Sequence, residues 1–220
     1  MQPTPGRTRL VVFDLDGTLI DSTGDLAAAV NRTLARVAPG TAGLALSVVR
    51  RLVGNGARVL VERSLREAGV SASVDDTLAI FQDCYRSCLL DTTRLYAGVA
   101  EGIALLDDCS LAVLTNKSGD MSRTILAGLG IADRFARIYG GSDLPAPKPD
   151  PAGLRLVMHD LYAAPEETVL VGDLPVDVQT GRAACVWTVG VTYGFDPDGL
   201  ARSVPDRLVS DLRELKGALP

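Results

Sequence analysis

The feature that most narrows the fold is an alternation between two kinds of segment. Short β-branched and leucine-rich runs each end in polar or glycine residues: 9–13 runs into Asp14, 111–114 into Thr115, 168–171 into Gly172-Asp173, and 186–189 into Gly190. Runs this short and this continuously apolar suit strands buried on both faces of a parallel sheet. Between and around them the apolar spacing is helical, over 99–108, 120–129, 151–161 and 176–184. Gly130 closes the second of these helices, and Pro151 opens the third at a tolerated first-turn position. Such an alternation predicts an α/β fold with a Rossmann-like, doubly wound parallel sheet. A short strand and a closing helix are expected over 206–219.

Residues 18–91 break this rhythm. They carry only helical patterns, over 25–37, 47–53, 57–68 and 74–90, punctuated by Gly40, Gly43, Gly54, Gly56 and Gly69. The stretch reads as an all-helical insertion between the first strand and the next helix. No internal repeat or low-complexity tract is visible. A length of 220 residues suits one domain with a small inserted one.

Composition mainly excludes. An apolar fraction of 47% is enough for a sizeable core. A net charge of −5 disfavours a polyanion, so nucleic acid is not expected as a partner. The only histidine, His159, rules out a zinc site built on paired histidines and reads as a structural helix residue. Lysine occurs only as Lys117, Lys148 and Lys216. The four cysteines, Cys84, Cys88, Cys109 and Cys185, are too sparse for a disulfide scaffold. Cys84 and Cys88, four apart on a helix, read as small apolar residues. The polar start, 1–8, lacks a signal-type apolar core, and no apolar run approaches a membrane span. A soluble cytoplasmic protein with no membrane partner is expected, as monomer or homodimer.

In an open parallel sheet, ligands bind outside the carboxyl ends of the strands. Here those ends carry Asp14-Leu15-Asp16, Thr115-Asn116-Lys117 and Gly172-Asp173. A further piece, Pro145-Ala146-Pro147-Lys148-Pro149-Asp150-Pro151, carries one lysine among four prolines, which stiffen its mount. Clustered carboxylates repel one another unless a cation lies between them. Oxygen-only donors suit Mg2+, which binds through one or two carboxylates plus a substrate phosphate. A metal, a lysine and backbone N–H groups together stabilise a transferring phosphoryl group. One aspartate can serve as nucleophile, and a second, two residues on, as general acid and base.

These segments resemble the four motifs of the haloacid dehalogenase superfamily. Asp14-Leu15-Asp16-Gly17-Thr18-Leu19-Ile20-Asp21-Ser22 resembles motif I, Leu114-Thr115-Asn116-Lys117 motif II, Lys148-Pro149-Asp150-Pro151 motif III, and Gly172-Asp173-Leu174-Pro175-Val176-Asp177 motif IV. The order is right and the motifs span nearly the whole chain. The resemblance implies a core of residues 1–17 and 92–220 with the helical C1 cap at 18–91. It implies Asp14 as nucleophile, and Asp16 as general acid/base with its backbone carbonyl on Mg2+. Thr115, the backbone of Asn116, Gly17 and Thr18 would hold the phosphoryl group. Lys148 would offset its charge and that of Asp14. The metal set would be Asp14, Asp16, Asp173 and Asp177, with Asp177 ligating directly or orienting through water.

Within the superfamily, the dehalogenases lack the second motif I aspartate, which is present here as Asp16. Phosphonatases need a cap lysine, and no lysine precedes Lys117. β-Phosphoglucomutases place a histidine early in the cap, and 21–30 has none. A regulatory phosphate-binding protein would have lost the nucleophile or the metal acid, whereas Asp14, Asp16, Lys148 and Asp173 are all present. A phosphomonoester hydrolase acting on a small phosphorylated metabolite remains. Two stretches resemble phosphoglycolate phosphatases: Leu52-Val53-Gly54-Asn55-Gly56-Ala57, followed by Glu62-Arg63-Ser64-Leu65, and Val189-Gly190-Val191-Thr192-Tyr193-Gly194-Phe195. Gly54, Asn55 and Gly56 would face the site, and Arg58, with Arg50 and Arg51 nearby, would read a substrate carboxylate. Leu174 stands where the family usually has Ser, and Cys185 where it usually has Gly. The substrate expected first is 2-phosphoglycolate, with pyrophosphate and sugar phosphates as the alternatives.

Overall fold

Leu10, Val11, Val12 and Phe13 have no exposed surface, and they form the middle of the sheet. The structure is a computed structural model that describes residues 7–220; of the polar start read above, 1–6 lies outside the described residues. In chain order the elements are β1 (Leu10–Phe13), β2 (Ile20–Asp21), α1 (Thr23–Val37), α2 (Leu46–Leu52), α3 (Ala57–Glu67), α4 (Val74–Arg86), β3 (Arg94–Leu95), α5 (Val99–Ala104), β4 (Ser110–Leu114), α6 (Gly119–Gly128), β5 (Arg137–Tyr139), α7 (Ala152–Asp160), β6 (Thr168–Gly172), α8 (Pro175–Ala183), β7 (Trp187–Val191), α9 (Pro197–Arg202), β8 (Arg207–Val209) and α10 (Leu215–Ala218).

Six strands form one parallel sheet in the order β5-β4-β1-β6-β7-β8. The chain leaves β1 for the β4 side, then returns past it to β6, so the winding reverses beside β1. Both faces are covered, which is why the strand sequences are apolar without alternation. Val11, Phe13, Val113, Val169 and Val171 face a cluster completed by Ile103, Ile125, Leu212 and Leu215. Leu10, Val12, Leu114 and Leu170 face Leu154, Val157 and Met158 of α7. This is the expected α/β doubly wound sheet.

The segment after β1 is not all-helical, contrary to the expectation from its sequence pattern. It opens with β2, which pairs antiparallel with β3 and so ties the start of the helical stretch to its end. These strands, and the three-residue β5, are too short to show a period. Asp25 strengthens the same tie. Its carboxylate accepts the backbone N–H groups of Thr92 and Thr93 at 2.8 and 2.9 Å and both hydroxyls at 2.5 and 2.7 Å. Burial alone would raise the pKa of Asp25; these donors outweigh it and hold the group below the usual carboxylate range. Helices α1 to α4 share an apolar cluster of their own, built on Leu26, Val30, Leu34, Leu60, Phe81 and Tyr85, which reaches the sheet layer through Met121 of α6.

Two expected helices end early. The helix expected over 74–90 stops at Arg86, where the Ser87 hydroxyl donates to the Cys84 carbonyl at 2.7 Å and draws the last turn out. The helix expected over 99–108 stops at Ala104, with the Leu105 N–H bonded to the carbonyls of both Glu101 and Ile103. Helix α9 lies where none was expected, opened by Pro197 and capped by the Asp196 carboxylate, which accepts from the Gly199 N–H at 2.9 Å. All four cysteines are free, with Cys84 and Cys88 buried on α4 and just after it. His159 is not a packed helix residue: its ring is 84% exposed beside Asp160. Cys185 adopts φ +60°, the left-handed region, which explains why Gly is usual at that position. Among the described residues no helix is long and apolar enough to cross a membrane.

Candidate active site

Asp14 follows the last residue of β1, Thr115 follows β4, and Asp173 follows β6, so three adjacent strands deliver these side chains to one sheet edge. The turn after β1 is tight. Gly17 sits at φ +90°, and a Cβ there would lie 2.2 Å from an Asp173 carboxylate oxygen. Only glycine meets both demands. Asp177 reaches the same place from the first turn of α8, where one of its oxygens also accepts the Leu174 N–H at 3.1 Å.

Carboxylate oxygens of Asp14, Asp173 and Asp177 lie within 4.8 Å of one another, and all three residues are buried. Lys148 is the local counter-charge. Its Nζ stands 2.9 Å from Asp14 Oδ1 and donates to Asp177 Oδ1 at 2.6 Å. Asn116 holds the lysine's backbone in place: its Oδ1 accepts the Lys148 N–H at 2.8 Å, and its Nδ2 donates to the Lys148 carbonyl at 3.1 Å. One ammonium cannot neutralise three buried carboxylates. Burial, only partly offset by Lys148, pushes Asp14 up to about 6, with Asp177 adding to the rise. Burial and then the charges of Asp14 and Asp177 push Asp173 well above the ordinary range. Burial would lower Lys148, but Asp14 and Asp177 outweigh it and raise it.

This donor set fits Mg2+. It is made only of oxygens, it is anionic beyond its own lysine, and Asp14 Oδ1 is buried without a well-aligned hydrogen bond. Asp173 is pre-oriented by the Thr18 hydroxyl at 3.0 Å and the Phe195 N–H at 2.8 Å. Thr18 is thus committed to Asp173. The Asp16 carboxylate stands apart from the cluster: it accepts from Ser22 at 2.5 Å and pairs with Lys117 at 2.9 Å. A metal role for Asp16 would therefore fall to its backbone carbonyl.

A cavity opens between this sheet edge and the helices of 23–86. Asp14, Asp16, Thr115, Asn116 and Lys117 line it below, and Gly54, Gly56, Gln82 and Tyr85 line it above, together with Leu26, Val53, Leu60 and Phe81 of the helical segment. Gly54 reaches the edge because it has no side chain: at φ +119°, a Cβ would lie 2.3 Å from Leu174 Cδ1. Its carbonyl accepts from Asn116 Nδ2 at 3.3 Å. Leu174 packs with Val176, Phe195 and Val53, so the residue that departs from the usual Ser makes an apolar contact with the helical segment.

The structure does not bring Arg58 into the cavity. It is an exposed residue whose guanidinium is bound by Asp75 of α4, and Asn55 also lies outside the lining. Arg51 donates to the Ser47 carbonyl at 3.1 Å. Arg50 donates to the Gly194 carbonyl at 2.6 Å and lies over the Phe195 ring. The cation in the cavity is Lys117, and its neighbour across the gap is Tyr85. Neither had an assigned role in the sequence, although the scarcity of lysine and the place of Lys117 beside Thr115 were a usable signal.

The family model for haloacid dehalogenase-like hydrolases matches residues 11–191. A protein of Pseudomonas putida named phosphoglycolate phosphatase is 42% identical over 215 residues, covering 94% of this chain and 78% of its own. One of Colwellia psychrerythraea with the same name is 40% identical over 195 residues, covering 85% of each chain. A crystal structure described as a predicted phosphoglycolate phosphatase from Haemophilus somnus 129PT superposes with a TM-score of 0.89 at 30% identity, covering 97% of this chain and 98% of that one.

Proposed function

The chain belongs to the haloacid dehalogenase-like hydrolase family and is a phosphatase of that family, and on that premise we propose that it is a Mg2+-dependent phosphomonoesterase whose substrate is 2-phosphoglycolate. The observation that carries the reading is the buried set Asp14, Lys148, Asp173 and Asp177 at the edge of three adjacent strands. The names of the Pseudomonas putida and Colwellia psychrerythraea relatives support the substrate.

Mg2+, held by Asp14, Asp173 and the Asp16 carbonyl, with Asp177 ligating or orienting, would draw charge from the phosphoryl oxygens. An Asp14 carboxylate oxygen attacks phosphorus, and the ester P–O bond breaks. Asp16 gives its proton to the departing glycolate oxygen. In the second half, Asp16 takes a proton from water, the water oxygen attacks phosphorus, and the aspartyl-phosphate P–O bond breaks. Asp14 is restored and phosphate leaves. Thr115 and the Asn116 backbone hold the phosphoryl oxygens, and Lys148 limits the repulsion between Asp14 and an incoming dianion. Thr18 and Gly17 act one step back, by placing Asp173.

Residues 18–91 serve in this reading as a cap over a core of 1–17 and 92–220. The cap brings Gly54 and Gly56 against the sheet edge and excludes water while the acyl phosphate forms. Phosphate release, measured with Mg2+ and with EDTA on 2-phosphoglycolate, pyrophosphate and sugar phosphates, tests the proposal. The highest kcat/KM should fall on 2-phosphoglycolate, and EDTA should abolish it. A tenfold higher kcat/KM on pyrophosphate or a sugar phosphate would replace the substrate, and turnover indifferent to EDTA would remove the metal.

A further inference from the structure

We infer that Lys117 and Tyr85 together form the site that reads the substrate's second anionic group, the carboxylate of a 2-phosphoglycolate-type ester; this rests on the phosphatase reading above. Lys117 Nζ has three N–H bonds. One is directed at Asp16 Oδ2 at 2.9 Å, one is donated to the Tyr85 hydroxyl oxygen at 2.7 Å, and the third has no acceptor among the described residues. Tyr85 accepts from Lys117, and its own O–H proton likewise has no acceptor there. Two donors held side by side in a buried cavity and left without acceptors call for an anion.

Tyr85 keeps its proton: burial pushes its hydroxyl up to about 12. Tyr85 is also fixed in place: its ring stacks on Phe81 at 5.8 Å between centroids, and Lys117 Nζ lies 4.5 Å from its ring centre.

Position supports the class of ligand. Asp16, as general acid, hydrogen-bonds the ester oxygen that leaves. Lys117 pairs with that same carboxylate at 2.9 Å, which keeps its ammonium beside the part of the cavity that the leaving group would occupy. A carboxylate carried one methylene from that oxygen reaches it, and a neutral chain leaves both donors unmet. Leu26, Leu60 and Phe81 line the same cavity with the uncharged polar Gln82 and Ser118, and Lys117 is the only cation among its lining residues. The arginines expected to do this work, Arg50, Arg51 and Arg58, are bound elsewhere.

The test compares 2-phosphoglycolate with ethyl phosphate, which replaces the carboxylate by a methyl group. Wild-type enzyme should favour the first, and the ratio of kcat/KM on the two esters is the readout. Tyr85→Phe should lower that ratio about tenfold, mainly through KM on 2-phosphoglycolate, and Lys117→Met about a hundredfold. Lys117→Met removes a buried counter-charge and can fail to fold; Tyr85→Phe keeps the ring and its stacking and decides the question alone. Variants that lose activity on both esters in equal proportion, or lose none, overturn the site. Wild-type enzyme with no preference between the esters overturns the substrate reading itself.

Discussion

The two walls of the active-site cavity are built on opposite principles. The sheet wall is ionic: Asp14, Asp173, Asp177 and Lys148 are buried together, and each is held by a neighbour on a strand end or in a short turn. The helical wall is mostly apolar: Leu26, Val53, Leu60 and Phe81 belong to the cluster that also holds α1 to α4 together. The first wall spends stability on charge repulsion that a cation relieves. The second gains stability from the surface it presents. Chemistry is therefore concentrated on one wall and packing on the other, and Tyr85 is the point where the helical wall adds a polar group to the site.

The sharpest way to break this division is to disturb each wall and compare activity with stability. Asp14→Asn should have the largest effect, lowering kcat at least ~1,000-fold. Its melting temperature at neutral pH should not fall, because a buried charge is removed from a crowded anionic cluster; a calorimetric scan beside the kinetic assay checks both. Asp25→Ala attacks the tie between the ends of the helical segment, leaving four donors around Thr92 and Thr93 without their acceptor. It should cost about 3 kcal/mol in urea unfolding, and an unchanged midpoint would show that the tie carries no load. Leu174→Ser restores the residue usual in the family and removes the apolar contact with Val53 and Gly54. A loss of about 2 kcal/mol is expected, with kcat/KM altered only a few-fold.

The smallest effect is on pH dependence. Asp14 and Asp173 have folded-state pKa values above their unfolded ones, so the folded protein holds more protons than the unfolded chain. Their favourable contribution is complete below the unfolded pKa, near 4, and is lost as pH rises through about 6. In EDTA the melting temperature should drop between pH 5 and pH 7.5, and Mg2+ should cancel most of that drop. A flat profile in EDTA would mean that the carboxylates are not in conflict.

How much was legible follows the same division. The strand-end residues were readable because each is a local signal at a fixed place: a β-branched run, then Asp14, Thr115 or Asp173. Their order along the chain, with Lys148 between prolines, is enough to place them at one sheet edge. The helical wall was readable only as periodicity. Arg58 looked suitable from its place beside Gly54 and Gly56, but Asp75, seventeen positions on, binds it. Tyr85 lies one turn from Phe81 on a helix that reads as plain core, and nothing local marks its hydroxyl as facing Lys117. Such pairings depend on how helices pack across the sheet edge, which a one-dimensional pattern does not encode. The same holds for β2 and β3, whose two-residue pairing exists only because the segment between them folds back.

The central claim is that Asp14 carries the phosphoryl group. It is tested by mixing enzyme, Mg2+ and 2-phosphoglycolate, quenching in acid during turnover, reducing with borohydride and sequencing the peptides by mass spectrometry. An acyl phosphate is reduced to an alcohol, so the account predicts homoserine at position 14, in amounts that require substrate and vanish with EDTA. Active enzyme with aspartate intact at position 14, or with the reduced residue at another aspartate, would contradict it.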